Sequence, residues 1–139
     1  MHKKDQGSIG EALVVAQALE YQCAVFTDFG DNSKIDLIIE DTSNTLHRVQ
    51  VKCVGREKKT PNVSLLYLYK SGPNYNFAYE ANMFDWFALV DYVTKKIAWI
   101  SFEEASTLGN SQLSFRHDDS SHRGGGKIRR FDDYTKFPF

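Results

Sequence analysis

The stretch from Ile35 to Val54 constrains this chain more than any other. Two apolar runs, Ile35–Glu40 and Leu46–Val54, flank Asp41-Thr42-Ser43-Asn44-Thr45, a turn-forming segment, and together they specify a β-hairpin. Strand side chains alternate faces, so Ile35, Leu37 and Ile39 share one side while Asp36 lies on the other. On the second strand Val49, Val51 and Cys53 share a side, and Arg48, Gln50 and Lys52 share the opposite one. With both apolar rows facing a common core, Asp36, Gln50 and Lys52 end up side by side on the remaining face. That face has two readings. It is the solvated side of an ordinary half-exposed hairpin, carrying charges for solubility, or it gathers an acid, an amide and an amine into one site.

An acid, an amide and an amine at this spacing suit metal-assisted hydrolysis of a phosphodiester. A carboxylate such as Asp36 holds a hard divalent cation through oxygen. The ammonium of Lys52 then stands where a water or a phosphate oxygen would be.

Length and composition narrow the setting. A chain of 139 residues is enough for one domain, 1–139, with a substantial core and leaves no room for two. An apolar fraction of 42% and a charged fraction of 25% are those of a soluble globular protein. No stretch approaches the ~18 consecutive apolar residues of a membrane span. The start, Met-His-Lys-Lys-Asp-Gln, leads into a polar and then amphipathic stretch instead of a signal peptide's apolar segment, so a cytoplasmic protein with no membrane partner is expected. Cys23 and Cys53 are too few and too unpatterned for a disulfide framework or a zinc site, and read as small core residues.

The net charge of −1 hides a segregation of charge. Arg48, Lys52, Arg56, Lys58, Lys59 and Lys70 face only Glu57 in their stretch, and Arg116, Arg123, Lys127, Arg129 and Arg130 face only Asp118 and Asp119 in theirs. Acids collect around Asp28–Asp41. A basic footprint beside an acidic cluster suits phosphate binding around a metal site. The same charges also read as a solvated surface.

In chain order, Ser8-Ile9-Gly10-Glu11 fits a capping box at the start of a helix over roughly 8–21. The helix carries a nearly continuous apolar surface suited to burial against a sheet. Glu11 is then either the cap partner or a carboxylate aimed at the site. Residues 23–29 read as a first strand, Gly30–Ser33 as a turn, and Gly55–Asn62 as a basic loop after the hairpin. Val63–Lys70 reads as a fourth strand, 77–85 as a short helix or a turn, and Trp86–Val93 and Ile97–Phe102 as a strand pair around Thr94-Lys95-Lys96. A short helix starts at Ser101. His117 and His122 with Asp118 and Asp119 read as a solvated patch, and Ser120–Gly126 as a flexible loop. Tyr67, Tyr69, Lys70, Tyr75, Phe77 and Tyr79 read as strand packing or as a surface for a second copy or for nucleic acid. The closing aromatics, Phe137 and Phe139 among them, are suited to dock on the domain or on a partner subunit.

Gly7-Ser8-Ile9-Gly10-Glu11-Ala12, then Phe29-Gly30-Asp31-Asn32-Ser33-Lys34-Ile35-Asp36-Leu37-Ile38-Ile39-Glu40, then Arg48-Val49-Gln50-Val51-Lys52, resemble in this order the PD-(D/E)XK nuclease superfamily. The likeness is strongest to its small single-domain branch, which includes a group I intron homing endonuclease known from cyanobacteria. It covers roughly residues 7–105. It implies an α/β (α+β) fold, a restriction-endonuclease-like core with a central mixed sheet flanked by helices. It further implies an Mg²⁺- or Mn²⁺-dependent, sequence-specific endonuclease acting on double-stranded DNA as a homo-oligomer, a dimer or tetramer. Glu11, Asp36, Gln50 and Lys52 would be catalytic, with Asp36, Glu11 and the backbone of Val51 toward the metal. Lys34, Arg48, Arg56, Lys58, Lys59, Arg123, Lys127, Arg129 and Arg130 would meet DNA. The chain departs from the pattern at Gln50, where the family motif has an acid; an amide offers a carbonyl oxygen but no charge. Glu11 is the first candidate to compensate, ahead of Glu40. A Holliday-junction resolvase or restriction-type nuclease, and a catalytically inactive DNA-binding domain, are the competing readings.

Overall fold

The computed structural model describes residues 2–28, 33–73, 75–80, 82–108, 111–118 and 129–139, with backbone alone at 70–72 and 75–77. It opens with α1 (Lys3–Glu20), capped by His2, whose side chain accepts the Lys4 N–H. The helix therefore starts earlier than a Ser8 cap requires. Ser8 lies inside it, its hydroxyl donating to Lys4 O at 3.2 Å, so there is no capping box and Glu11 is not its reaching partner. The buried residues of α1 are Gly10, Val14 and Ala18, one residue per turn, which is narrower than the broad apolar face expected.

The strands of the central sheet are β1 (Ala24–Thr27), β2 (Leu37–Glu40), β3 (Leu46–Val54), β7 (Trp86–Asp91) and β8 (Ile97–Ser101), in the order β1-β2-β3-β7-β8. All neighbours are antiparallel except β3 and β7, so the sheet is mixed. The β2–β3 hairpin forms where its turn residues demand it. Asp41 Oδ1 accepts the N–H groups of Ser43 and Thr45 at 2.8 and 3.0 Å, Oδ2 meets His47 Nε2 at 2.8 Å, and Asn44 takes φ 64°. The His47 contact holds the Asp41 carboxyl below the usual carboxylate range.

Parallel neighbours need a long crossover, and here residues 55–85 supply it with β4 (Val63–Tyr67), β5 (Tyr69–Gly72) and β6 (Tyr75–Ala78). The strand read over Val63–Lys70 is thus two. Leu68, 7% exposed, turns inward between them and its N–H bonds Ser111 O, so β4 pairs with β9 (Gln112–Arg116) and β5 with β6. Neither β6 nor β9 was expected from the sequence. After β8 come α2 (Phe102–Leu108) and a short 3-10 turn, Phe131–Tyr134.

The sheet has an apolar core on each face. Against α1 lie Leu37, Ile39, Val49, Val51, Ala88, Val90 and Trp99 with Val14 and Ala18. Against β4 and β9 lie Phe87, Leu89, Ala98 and Ile100 with Leu66, Leu113, Phe115 and Phe131. The C-terminal aromatics dock on the chain itself: Phe137 joins the α1-side core and stacks on Tyr21, while Phe139 packs on Trp86 and Trp99 and stacks on His47. Cys23 and Cys53 are free thiols, buried and half-buried.

Candidate active site

β3 presents the site. Its valines, Val49 and Val51, go to the α1-side core, so Gln50 and Lys52 point to the other face, in register with Phe87 and Leu89 of β7. That face is not a solvated side. The crossover strands cover much of it, and Gln50 is only 7% exposed.

Asp36 stands one residue before β2, where the β2–β3 ladder ends. Its N–H still bonds Val49 O at 2.9 Å, but beyond that point its carboxylate accepts the Val51 N–H, Oδ2 at 2.8 Å. The carboxylate is thereby fixed against the peptide between Gln50 and Val51. Continuing the Leu37–Val49 register sets Asp36 opposite Gln50, with Lys52 two residues further along the same face of β3. Lys52 Nζ lies 5.2 Å from the centre of the Tyr79 ring.

Gln50 carries the most informative atom. Its Oε1 is buried and, among the described residues, meets no hydrogen-bond donor. Leaving a buried carbonyl oxygen unsatisfied costs about 1–3 kcal/mol. An oxygen held this way beside a carboxylate is the donor chemistry a hard cation selects. The residues present therefore fit an Mg²⁺ or Mn²⁺ ion at Asp36 and Gln50. Among the described residues no three His, Cys, Asp or Glu side chains converge as a metal cluster, so the fit rests on this mixed oxygen set.

Glu11 comes from a different element. It is exposed on α1, next to Gly10, which packs on Cys53, the residue after Lys52 in β3. Glu40 lies at the far end of β2, opposite Leu46 and Ala24.

The basic residues divide into two groups. Lys34, Lys58, Lys59 and Arg130 are exposed. Arg48 and Arg56 are instead engaged within the fold. Arg48 forks onto Asp85 (Nη2–Oδ1 2.9 Å, Nε–Oδ2 3.2 Å) and donates to Asn82 O, which lowers the Asp85 carboxyl. Arg56 forks onto the fully buried Asp91 at 3.1 and 2.9 Å. Both guanidiniums thus serve the scaffold, a role charge counting could not separate from DNA contact. Arg129 donates to Ser114 O and lies over Phe115. Arg123 and Lys127 lie outside the described residues, as do Asp119, His122 and the loop from Ser120 to Gly126.

His117 corrects the solvated-patch reading. Its Nε2 meets Ser64 Oγ at 2.8 Å, its Nδ1 is 3.9 Å from Asp91, and its ring packs on Phe131. Burial lowers the His117 pKa, against the raising pull of Asp91. Burial pushes the Asp91 carboxyl up, but hydrogen bonds from Arg56 and Thr94 and the charge of His117 outweigh it and hold it at about 2.

With this geometry in place, comparison with known proteins gives the class. The PD-(D/E)XK endonuclease family profile matches residues 1–137, and the chain belongs to that family. Among solved structures it is similar to the bacterial homing endonuclease I-Ssp6803I, with a TM-score of 0.78 and 22% identity over 96% of this chain and 88% of that one. At this identity the likeness establishes a shared fold. No curated protein sequence matches.

Proposed function

We propose that the chain is a metal-dependent, sequence-specific endonuclease of double-stranded DNA, of the homing type. The single observation that carries this reading is the buried Oε1 of Gln50, without a hydrogen-bond donor among the described residues and on the strand whose Val51 N–H the Asp36 carboxylate accepts, on a chain of nuclease family. Asp36, Gln50 Oε1 and the backbone carbonyl of Val51 would hold Mg²⁺ or Mn²⁺, with Glu11 contributing from α1. The ion, when bound, supplies positive charge to the scissile phosphate and acidifies water.

The chain's own residues do the rest. Asp36, pinned by the Val51 N–H, keeps its carboxylate in one orientation. Lys52 donates hydrogen bonds to the attacking water and to a phosphate oxygen, orienting the one and offsetting charge that builds on the other. The water gives up a proton to solvent as its oxygen bonds to phosphorus, the phosphorus–oxygen bond to the leaving sugar breaks, and that sugar oxygen takes up a proton from solvent. Lys34, Lys58 and Lys59 are exposed cations suited to phosphate contact, and Arg130 is exposed as well. A single module buries only ~600–1,000 Å² on DNA, so reading a long site calls for a homo-oligomer.

Incubation of supercoiled plasmid carrying a site selected from a random DNA library tests the reading. Cleavage is expected with Mg²⁺ and not with EDTA. Lys52→Met should lower cleavage by roughly 10²–10⁴-fold while leaving DNA binding nearly intact. Full activity in that variant sinks the assignment. Gln50, an amide in the place of an acid, favours one other reading, a catalytically silent DNA-binding domain. Binding without cleavage in Mg²⁺ or Mn²⁺ would decide for it, and selected four-way junctions or short palindromes would decide for a resolvase or restriction-type enzyme.

A further inference from the structure

Lysine is a poor catalytic group unless something holds it. Four rotatable carbons separate its ammonium from the backbone, and that ammonium is strongly hydrated. We infer that Tyr79 is the positioning residue for Lys52, its ring face fixing the ammonium beside Asp36 and Gln50. The inference rests on the nuclease reading above and deepens it.

Three observations converge. Lys52 Nζ lies 5.2 Å from the Tyr79 ring centre, within the range of cation–π attraction. The ring is itself immobilised. It meets Phe84 edge-on at 5.2 Å and Phe87 edge-on at 5.7 Å, both fully buried, and the Tyr79 N–H bonds Leu68 O. Phe87 is also the β7 residue in register with Gln50. One rigid aromatic cluster thus underlies both the amide and the ammonium.

A π face suits this task better than a carboxylate. It attracts the cation without accepting its hydrogen bonds along a lone pair, so N–H donors stay available to water and phosphate. A carboxylate would compete for the same donors.

The test uses the full chain and two variants, Tyr79→Phe and Tyr79→Leu. A ring face shields protons above it, so the methylene protons next to Lys52 Nζ should resonate upfield of other lysines in the wild type. They should stay upfield in Tyr79→Phe and return to the ordinary position in Tyr79→Leu. In cleavage, Tyr79→Phe should match the wild type. Tyr79→Leu should lose about 2- to 30-fold in kcat with KM for DNA unchanged. An ordinary Lys52 shift in the wild type overturns the inference. So does an unchanged kcat in Tyr79→Leu, or a Tyr79→Phe variant as impaired as Tyr79→Leu. If Tyr79→Leu does not fold, the wild-type and Tyr79→Phe shifts decide. Absence of cleavage by the wild type overturns the nuclease reading instead, and the shift still decides whether the ring holds the ammonium.

Discussion

The two faces of the central sheet are built on opposite plans. On the α1 side the buried core is apolar, from Val14 and Ala18 to Leu37, Ile39, Val49, Val51, Val90 and Trp99, whose Nε1–H donates to Gln17 Oε1 at the margin. On the other side an equally buried aromatic core surrounds polar groups: Gln50, whose oxygen meets no donor among the described residues, Lys52 over Tyr79, and Asp91 gripped by Arg56. An apolar face is stabilised by area alone and tolerates little beyond shape. A face with charges inside it depends on each charge keeping its partner, and a protein retains such a face where chemistry needs it. The first face carries the fold, and the second carries the candidate site together with the ion pair that supports it.

The sharpest way to break this contrast is Asp91→Asn. It leaves the Arg56 guanidinium, 19% exposed, without its carboxylate, while Thr94 and the β7–β8 turn lose an acceptor. Breaking a buried pair on one side costs about 3–5 kcal/mol, so thermal melting should fall by roughly 10 °C or more. A loss as small as that of a surface substitution would mean the second face does not depend on its charges. The same network sets an acid limit. The Asp91 carboxyl titrates at about 2 when folded against 3.8 unperturbed, so its contribution is full above about pH 4 and disappears as the pH falls toward 2; the difference amounts to about 2 kcal/mol. His117, lowered by burial from 6.5, acts in a higher window. The unfolded chain takes up its proton first, so stability should begin to drop below about pH 6.5. Urea midpoints measured from pH 7 to 2.5 should show both declines, and in Asp91→Asn the lower one should shrink to what the lowered Asp41 and Asp85 carboxyls still contribute.

Gln50→Glu sharpens the comparison at the site. It restores the acid of the family motif at a position 7% exposed beside Asp36. Without a cation, burial and the neighbouring carboxylate both oppose the new charge, so in EDTA the variant should be about 1–3 kcal/mol less stable than the wild type. Mg²⁺ should recover that loss, and should raise its melting temperature more than it raises the wild type's. Equal melting in EDTA would mean that the Gln50 pocket is wet and not the dry oxygen site described above.

These differences between faces were unequally legible in the sequence. The α1 face could be read almost residue by residue, because period-2 alternation in Leu37–Ile39 and Val49–Val51 is a local signal. Alternation likewise put Gln50 and Lys52 on one side. What lay opposite them could not be read, since it is assembled from residues distant in sequence. Leu113 and Phe115 alternate with polar residues in β9, but in a polar setting two apolar residues are too short a pattern to specify a strand. Arg56 and Asp91 meet across 35 positions, and Ser64 and His117 across 53. A cation count therefore could not show that Arg48 and Arg56 are ion-paired within the fold. Glu11 shows the opposite error. A capping box was legible at Ser8 and does not form, because His2 starts the helix a turn and a half earlier.

The smallest effects test the plain face, using two glycines of α1. An ideal Cβ on Gly10 would come 2.6 Å from Cys53 Cβ, a rigid atom on the β3 backbone, whereas one on Gly7 meets nothing within 4 Å. In an exposed helix interior, Gly→Ala stabilises by about 1 kcal/mol through backbone entropy and helix propensity. Gly7→Ala should show that gain, a rise of a few degrees in melting temperature. Gly10→Ala has the same helical gain but must push α1 off β3, and overpacking costs about 1–3 kcal/mol, so its net effect should be destabilising. Opposite signs from the same substitution, three residues apart on one helix, would establish that the α1 face is held by close approach of backbones. If both variants melt higher than the wild type, the contact at Cys53 yields at little cost and close approach does not hold the α1 face.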